Sequence, residues 1–285
     1  DGKFLTDFKV NKIKKNNNKW IAEGHIKKKK IIIEAKNIFL NCGSIETSKI
    51  LIKSKIEGNF NDFFFHPMLK VIVEFDQDIQ DGSENVHSYQ LDHFFPDFII
   101  GEASSGEQFL KISAYKSNYS DHISKNWKKM SIYHSTFSFG RGKMYRIPFI
   151  DKFIYSYKID KKELIKIRKS INVLCDTLYA GGAKKIYLST NDGLLKLDKE
   201  NFKKKIEKIT KINDIKFSSV HILGGVKSGE SNNCEFDSWG KYKKSSGLYV
   251  YDSSLINHKL LKNPQGTVMS ISNRNIKKYI KDHYA

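Results

Sequence analysis

Apolar and polar residues alternate with a period of two near the start of the chain. Phe8 and Val10 stand between polar neighbours and Ile13 follows before the turn, whereas Trp20 and Ala22 alternate after it. Because successive side chains of a strand point to opposite faces, this pattern predicts a β-meander within residues 4–43, with a turn at residues 15–19. The lysine run at residues 27–30 is typical of a solvated hairpin end.

The meander leads into a short buried strand and then a helix. Ile38–Leu40 is an uninterrupted apolar run that enters the small-residue segment Asn41–Ser44. Serine is a residue type that caps the free N–H groups of a helix. We therefore predict a helix over residues 45–54 with Ser44 as its N-cap.

Residues 63–218 combine many aromatic residues with short strand-like runs, which predict an antiparallel sheet. The runs lie at residues 70–75, 95–100, 131–139, 153–157 and 185–189. A helix is predicted over residues 161–179, where Gly181-Gly182 follows as a stop signal. Its apolar residues recur at helical spacing and are Leu164, Ile167, Ile171, Leu174 and Leu178.

The last segment, residues 219–285, returns to strand, turn and helix. Leu248–Tyr251 has the pattern of a buried strand. Asn263-Pro264 predicts a helix start, because asparagine caps free N–H groups and proline at the first helical position loses no hydrogen bond. The chain as a whole is therefore predicted to mix α/β and α+β elements.

The formal charge of +19 raises the question of nucleic-acid binding. Only four of the 50 basic residues are arginine, although arginine's planar fork favours base and phosphate contacts. The lysines are spread along the whole chain, which is typical of a compositional bias. We expect no specific nucleic-acid partner, and polyanion binding stays the least favoured alternative.

The cysteines, the histidines and the apolar runs argue against disulfide-rich, metal-binding and membrane-spanning proteins. Cys42, Cys175 and Cys234 are far apart, which predicts neither a disulfide framework nor a zinc site and favours a cytoplasmic location. The histidines at 87, 93, 122 and 134 have no metal-binding spacing, so no metal is predicted. The apolar runs are much shorter than the roughly 18 residues of a membrane helix, so no membrane span is predicted.

Three segments near the C-terminus occur together in one family of flavoenzymes. They are His221-Ile222-Leu223-Gly224-Gly225, Gly247–Ser254 and Asn263–Met269. With them, the chain resembles the C-terminal half to two-thirds of a glucose-methanol-choline (GMC) oxidoreductase. Residues 35–54 and 61–67 match the family as well, whereas the middle of the chain matches only in outline.

The resemblance implies a discontinuous FAD-binding domain, residues 1–62 and 219–285, and a substrate-binding domain, residues 63–218, with an antiparallel sheet and flanking helices. The fingerprint G-x-G-x-x-G is absent, and the chain begins with Asp1 rather than Met. We therefore expect a fragment that lacks the N-terminal βαβ unit. Without this N-terminal FAD-binding segment as a partner, the chain is expected to bind FAD poorly.

The resemblance also implies two catalytic residues. Oxidation of a CH–OH group needs a base for the hydroxyl proton while hydride leaves the carbon, and a neutral imidazole meets this need. His221 occupies the position of the family's first catalytic histidine. Asn263 occupies the paired position, which the family fills with His or Asn, and is predicted to hydrogen-bond the substrate oxygen.

The cofactor implied by the resemblance is FAD, with contacts from four parts of the chain. A helix N-terminus stabilises negative charge on the reduced flavin, and this role falls to Pro264, Gln265 and Thr267. Asp252 and Ser253 are placed beside the ribityl and pyrophosphate part. The adenosine side is assigned to Asn41, Cys42 and Gly43, and the adenine to the backbone of Val10.

The predicted function is FAD-dependent oxidation of a CH–OH group of an alcohol or sugar. One alternative is a catalytically inactive or split partner subunit that keeps the fold, because Val226–Gly229 lacks the Arg and Met of the family's motif. The other is a basic nucleic-acid or polyanion-binding protein. The sequence leaves the substrate, the electron acceptor and the oligomeric state open.

Overall fold

The computed structural model describes residues 2–81 and 89–284 of the chain. The chain divides into two compact units. Unit 1 comprises Asp1–Phe65, Arg141–Tyr157 and His221–Ala285, and unit 2 comprises His66–Gly140 and Lys158–Val220. Residues 141–157, which the sequence groups with residues 63–218, belong to unit 1 because they form strands that join its sheet.

Unit 1 contains the predicted meander, in which three antiparallel strands follow one another in order. They are β1 (Lys9–Asn16), β2 (Lys19–Ile26) and β3 (Lys29–Ala35). Ile13 and Trp20 point inward and are almost fully buried. The lysine run lies at the turn between β2 and β3, as predicted.

Unit 1 also contains two further sheets and two helices. Strand β4 (Ile38–Leu40) pairs in parallel with β16 (Leu248–Val250). A second sheet has the order β11-β10-β5-β15. Its strands are β5 (Asp62–Phe65), β10 (Arg141–Arg146), β11 (Phe153–Lys158) and β15 (Ile222–Gly224), and the helices of the unit are α1 (Gly43–Lys53) and α6 (Gln265–Tyr284).

The predicted cap of α1 is wrong. The helix begins at Gly43, so Ser44 lies inside its first turn, and the N-cap residue Cys42 makes no side-chain cap hydrogen bond. The Ser44 hydroxyl instead donates to the carbonyl of Ile222 at 2.8 Å. A tertiary partner thus replaces the local cap that the sequence suggests.

Unit 2 is built on the predicted antiparallel sheet. Its strand order is β13-β12-β6-β9-β8-β7, and β14 also pairs with β6. The strands are β6 (Met68–Glu74), β7 (Gln90–Leu91), β8 (Ile99–Ala103), β9 (Met130–Thr136), β12 (Lys185–Thr190), β13 (Gly193–Lys196) and β14 (Phe217–Ser218). The helices are α2 (Glu107–Ser113), α3 (Ser120–Asn126), α4 (Leu164–Ala180) and α5 (Phe202–Glu207).

Helices cover apolar parts of both faces of this sheet. On one face, Ile171 of α4 belongs to a buried cluster with Val71 and Val73. On the other face, Leu110 of α2 and Ile123 of α3 pack with Ile72 and Ile132. The predicted helix over residues 161–179 is confirmed as α4, preceded by one 3-10 turn at Lys161–Glu163.

The strand predicted over residues 95–100 begins later than expected. Strand β8 starts at Ile99, and the preceding residues form turns in which Asp97 and Phe98 donate to the carbonyl of Phe94. Pro96 has no N–H to donate to a neighbouring strand, which favours a turn at this point. Within the described part of the chain, no helix is long and apolar enough to cross a membrane.

Two glycines give a matched test of the meander packing. A Cβ atom at Gly24 would lie 2.1 Å from the backbone oxygen of Lys9, whereas one at Gly266 would meet nothing within 4 Å. We predict that Gly24→Ala lowers the free energy of unfolding by about 1–3 kcal/mol through overpacking. The same change at Gly266, in α6, should leave it unchanged or raise it by up to about 1 kcal/mol. Urea unfolding measures both, and equal effects would contradict the tight approach at Gly24.

Candidate functional site

The parallel pair of β4 and β16 brings together two segments that are about 200 residues apart. Leu248, Tyr249 and Val250 lie opposite Ile38, Phe39 and Leu40, respectively. Because the strands run in the same direction, their carboxyl ends meet at one edge of the sheet. The predicted site residues Asn41–Gly43 and Asp252-Ser253 therefore lie together there, at what we call the strand-end site.

The Asp252 carboxylate holds this site together. One carboxylate oxygen, Oδ2, accepts hydrogen bonds from the backbone N–H of Gly43 at 2.9 Å and the hydroxyl of Thr47 at 2.6 Å. The other, Oδ1, accepts from the N–H and the hydroxyl of Ser254, at 2.8 and 2.5 Å. Asp252 is only 7% exposed, and all four contacts are within the protein. Its carboxylate therefore caps α1 from the neighbouring strand.

Further hydrogen bonds join the site to the strand that follows His221. The Ser44 hydroxyl lies 3.0 Å from the hydroxyl of Ser253 while it donates to the Ile222 carbonyl. The backbone N–H of Tyr251 donates to the side-chain oxygen of Asn41 at 3.2 Å. Ser44, which the sequence predicted only as a helix cap, thus contacts two of the three C-terminal motifs, the His221 segment and Gly247–Ser254.

Gly225 allows this convergence. Its φ is +106°, a conformation that side chains other than glycine rarely adopt. A Cβ atom there would also lie 2.3 Å from the hydroxyl oxygen of Ser48 in α1. Gly225, four residues after His221, thus lets the chain pass close to α1.

Gly43 leaves open space at the strand-end site. It adopts φ of +78°, and a Cβ atom built on it would meet nothing within 4 Å. Asn41 and Cys42 beside it are exposed. Although Cys42 as a whole is exposed, nearby protein atoms remove part of the hydration of its sulfur and, together with the Asp252 carboxylate, raise the pKa of the thiol. The thiol therefore remains protonated near neutral pH, which disfavours a role as nucleophile.

His221 is half-buried, and burial lowers its pKa below the ordinary histidine value. The imidazole is therefore neutral at pH 7, which is the form that accepts a proton. The backbone next to His221 is held in place by the hydrogen bond that the Ser44 hydroxyl donates to the carbonyl of Ile222.

Helix α6 begins as the sequence predicts. The side-chain oxygen of Asn263 accepts from the backbone N–H of Gln265 at 3.0 Å, and the N–H of Val268 donates to the carbonyl of Pro264 at 2.9 Å. Pro264 is buried, Gln265 is exposed, and Thr267 is half-buried. The cap uses the amide oxygen of Asn263, so its exposed NH₂ group is the part that can donate to a ligand.

Val10 lies apart from the strand-end site, in β1 opposite Gly24. Its side chain packs against the core cluster that contains Leu40 and Val250. Thr47 and Ser254 are parts of the site that the sequence analysis missed. Thr47 is fully buried in the first turns of α1, and this position within a predicted helix was the available signal.

Among the described residues, no group of three or more His, Cys, Asp or Glu side chains is placed to hold a metal ion. Of the four histidines that the sequence analysis considered for metal binding, His87 lies outside the described residues.

The Asp252 cap gives a stability prediction. Asp252→Asn removes the charge and replaces one acceptor by an NH₂ group that faces protein donors, so we expect a loss of about 2–3 kcal/mol in the free energy of unfolding. The control Asp151→Asn changes a 62%-exposed carboxylate of the same unit and should cost no more than about 1 kcal/mol. Urea unfolding followed by circular dichroism compares the two variants, and similar losses would reject the capping role.

Comparison with known proteins places this geometry in context. No protein-family model matches the chain. A curated relative, the uncharacterised GMC-type oxidoreductase y4nJ of Sinorhizobium fredii, is 23% identical over 252 residues, which cover 85% of this chain and 49% of the relative. The chain thus spans about half the length of the curated relative that it matches.

Solved structures share the fold. Pyridoxine 4-oxidase from Mesorbium loti superposes with a TM-score of 0.71 at 12% identity, over 97% of this chain and 58% of that protein. Formate oxidase superposes with a TM-score of 0.66 at 10% identity, over 97% of this chain and 60% of that protein. The resemblance predicted from the sequence is confirmed: the chain shares the fold of these two oxidases, and a curated relative of it is a GMC-type oxidoreductase.

Proposed function

We propose that the chain supplies catalytic residues and part of the FAD site of an oxidoreductase that acts on a CH–OH group of an alcohol or sugar. The observation that carries the proposal is the convergence at Ser44. Its hydroxyl contacts both the Ile222 carbonyl and the Ser253 hydroxyl, and so links the His221 segment to the strand-end site.

The residues of unit 1 fit an FAD molecule in two respects. Gly43 leaves space where any other residue would project a side chain, beside the exposed ends of two parallel strands, where ligands of α/β sheets commonly bind. The N-terminal turn of the 20-residue helix α6 supplies a partial positive charge and free N–H groups, which suit an anionic edge of a ring.

The contacts proposed for the cofactor are refined by the hydrogen bonds at the site. The Asp252 carboxylate already accepts four hydrogen bonds, so we propose that Asp252 holds the site in shape and offers its backbone to FAD. Ser253, Asn41, Cys42 and Gly43 remain proposed direct contacts. Pro264, Gln265, Thr267 and Val10 also remain proposed contacts.

The proposed chemistry assigns one task to each catalytic residue. Bound FAD would supply the acceptor for the hydride that leaves the substrate carbon. His221 takes the proton of the substrate hydroxyl, because its lowered pKa keeps the imidazole neutral at pH 7. Asn263 donates a hydrogen bond from its NH₂ group to the substrate oxygen and so orients the hydroxyl towards the base. The backbone N–H groups at the start of α6 stabilise negative charge that develops nearby.

Replacement of His221 tests this assignment. We predict that His221→Ala, expressed in the open reading frame that contains the chain, keeps the visible flavin absorbance. Anaerobic bleaching by substrate should slow by about a hundredfold or more, the usual effect of losing a general base. Stopped-flow absorbance measures this rate with pyridoxine, glucose and short primary alcohols as probes. Pyridoxine is included because one matched oxidase is named for it.

His258→Ala is the matched control, since His258 is an exposed histidine of the same unit. It should leave both colour and bleaching unchanged. A colourless wild-type protein would reject FAD binding. A yellow wild-type protein that no probe bleaches would instead favour the alternative of an inactive partner subunit.

The pH dependence gives a separate prediction. Because burial lowers the pKa of His221, the bleaching rate should fall at acid pH as the imidazole becomes protonated, with a midpoint below the ordinary histidine value of about 6.5. The His221→Ala variant should lack this acid limb. An acid limb of the same midpoint in the variant would show that another group is responsible.

A further inference from the structure

One rung of the unit 2 sheet carries basic and polar side chains in place of the apolar residues found on the next rung. Antiparallel pairing places Gln90 opposite Gly101, Gly101 opposite His134, and His134 opposite Lys70. Lys216 adjoins them, since the next residue, Phe217, lies opposite Leu69. We call these five residues the Lys70 rung.

The Lys70 rung lies on the face of the sheet that α2 and α3 partly cover. Residues two apart on a strand share a face, so Lys70 and His134 lie on the same face as Ile72 and Ile132. Those two isoleucines are covered by Leu110 and other apolar side chains of the helices. The apolar side chains of the helices therefore cover the neighbouring rung, and the face changes from apolar to basic and polar at Lys70.

The two lysines of the rung are poorly compensated. Within residues 2–81 and 89–284, the Lys70 ammonium has no hydrogen bond or ion pair. Lys216 donates to the carbonyl of Ile112 at 3.0 Å and lies over the ring of Tyr115. Burial lowers the pKa of Lys70, and the nearby charge of Lys216 lowers it further.

No carboxylate belongs to the rung. The closest acidic residue on the Lys70 strand, Glu74, is four residues away and is engaged by Lys185 at 2.9 Å and His122 at 2.9 Å. Glu102 lies opposite Tyr133 and so points to the other face. The rung thus concentrates positive charge, and no carboxylate in the described part of the chain forms an ion pair with Lys70 or Lys216.

Hydrogen-bond donors accompany the charge. The hydroxyl oxygen of Ser218 is buried and has no hydrogen-bond partner among the described residues. Ser218 lies opposite Met68, which shares the face of Lys70, so this hydroxyl belongs to the adjacent rung of the same face. The Thr136 hydroxyl lies 3.0 Å from Nδ1 of His134, whose Nε2 lies over Gly101, where a Cβ atom would approach it to 3.1 Å.

We propose that the Lys70 rung binds the oxyanion group, a carboxylate or a phosphate, of a small molecule. Lys70 and Lys216 supply the charge, and the Ser218 hydroxyl donates a hydrogen bond. Gly101 lets the His134 ring lie over the neighbouring strand, where a Cβ atom would approach Nε2 to 3.1 Å. This site requires no flavin, and it stands or falls separately from the oxidation proposed for unit 1.

Titration calorimetry of the full chain tests the site with sodium phosphate and, separately, sodium acetate, at an ionic strength held constant with sodium chloride. We expect one saturable site for at least one of these anions. Preference for phosphate would indicate a phosphate ester as the natural ligand, and preference for acetate a carboxylic acid. Absence of saturable binding by both anions would overturn the proposal.

Lys70→Met should weaken binding about tenfold or more, the effect of losing a charge-assisted hydrogen bond. Lys28→Met, at the exposed hairpin end of the meander, is the control for the general positive charge and should change nothing. Equal weakening by both variants would reduce the effect to non-specific attraction and overturn the site.

Thermal unfolding separates a binding lysine from a structural one. Because Lys70 is partly buried without a partner, Lys70→Met should have the same Tm as the wild type or a higher one, although it loses the anion. Lys70→Arg keeps the charge and should retain most of the binding. A lower Tm for Lys70→Met with unchanged anion affinity would overturn the proposal, as would a Lys70→Arg variant that folds but binds no better than Lys70→Met.

Discussion

The Asp252 carboxylate is the contact on which the strand-end site depends. It accepts hydrogen bonds from the first turns of α1 through one oxygen and from the segment after β16 through the other. A two-stranded parallel pair of three residues per strand has few hydrogen bonds of its own. A buried charge that is satisfied from both sides therefore fixes the relative position of the two strand ends, where the candidate cofactor residues lie.

Local patterns predicted much of the fold. The meander, α4, the start of α6 and the antiparallel sheet of unit 2 follow from periodicity and from Asn, Pro and Gly signals. The N-terminal cap of α1 could not be predicted in this way, because the residue that caps this helix, Asp252, is 209 positions from Gly43. Ser44 satisfied the local rule for a cap, but tertiary hydrogen bonds gave its hydroxyl other partners. Capping rules based on neighbouring residues cannot predict hydrogen-bond partners that are distant in sequence and that only the folded structure brings close.

The candidate site shows the same division. Its residues were found through motifs, and the parallel pairing explains why Asn41–Gly43 and Asp252-Ser253 lie together. The sequence could not show that the hydrogen bonds of the Asp252 carboxylate are all made to the protein. A buried carboxylate with four protein donors has little capacity left for a ligand, whereas the sequence alone made Asp252 equivalent to the other candidate residues of the site. A residue beside a cofactor can thus be required because it positions the groups that bind.

The lysines of this chain differ in how far the fold compensates their charge. The total of +19 conveys little, because many of these lysines are exposed or paired with acids, as Lys53 is with Asp151. An exposed lysine keeps its hydration, so its charge costs little and predicts no ligand. Lys70 differs because burial removes hydration without supplying an acid. The cross-strand register makes this visible, since only it places Lys70, His134 and Gly101 on one rung. In a lysine-rich chain, the informative charges are therefore those that the fold leaves half-buried without an acidic partner.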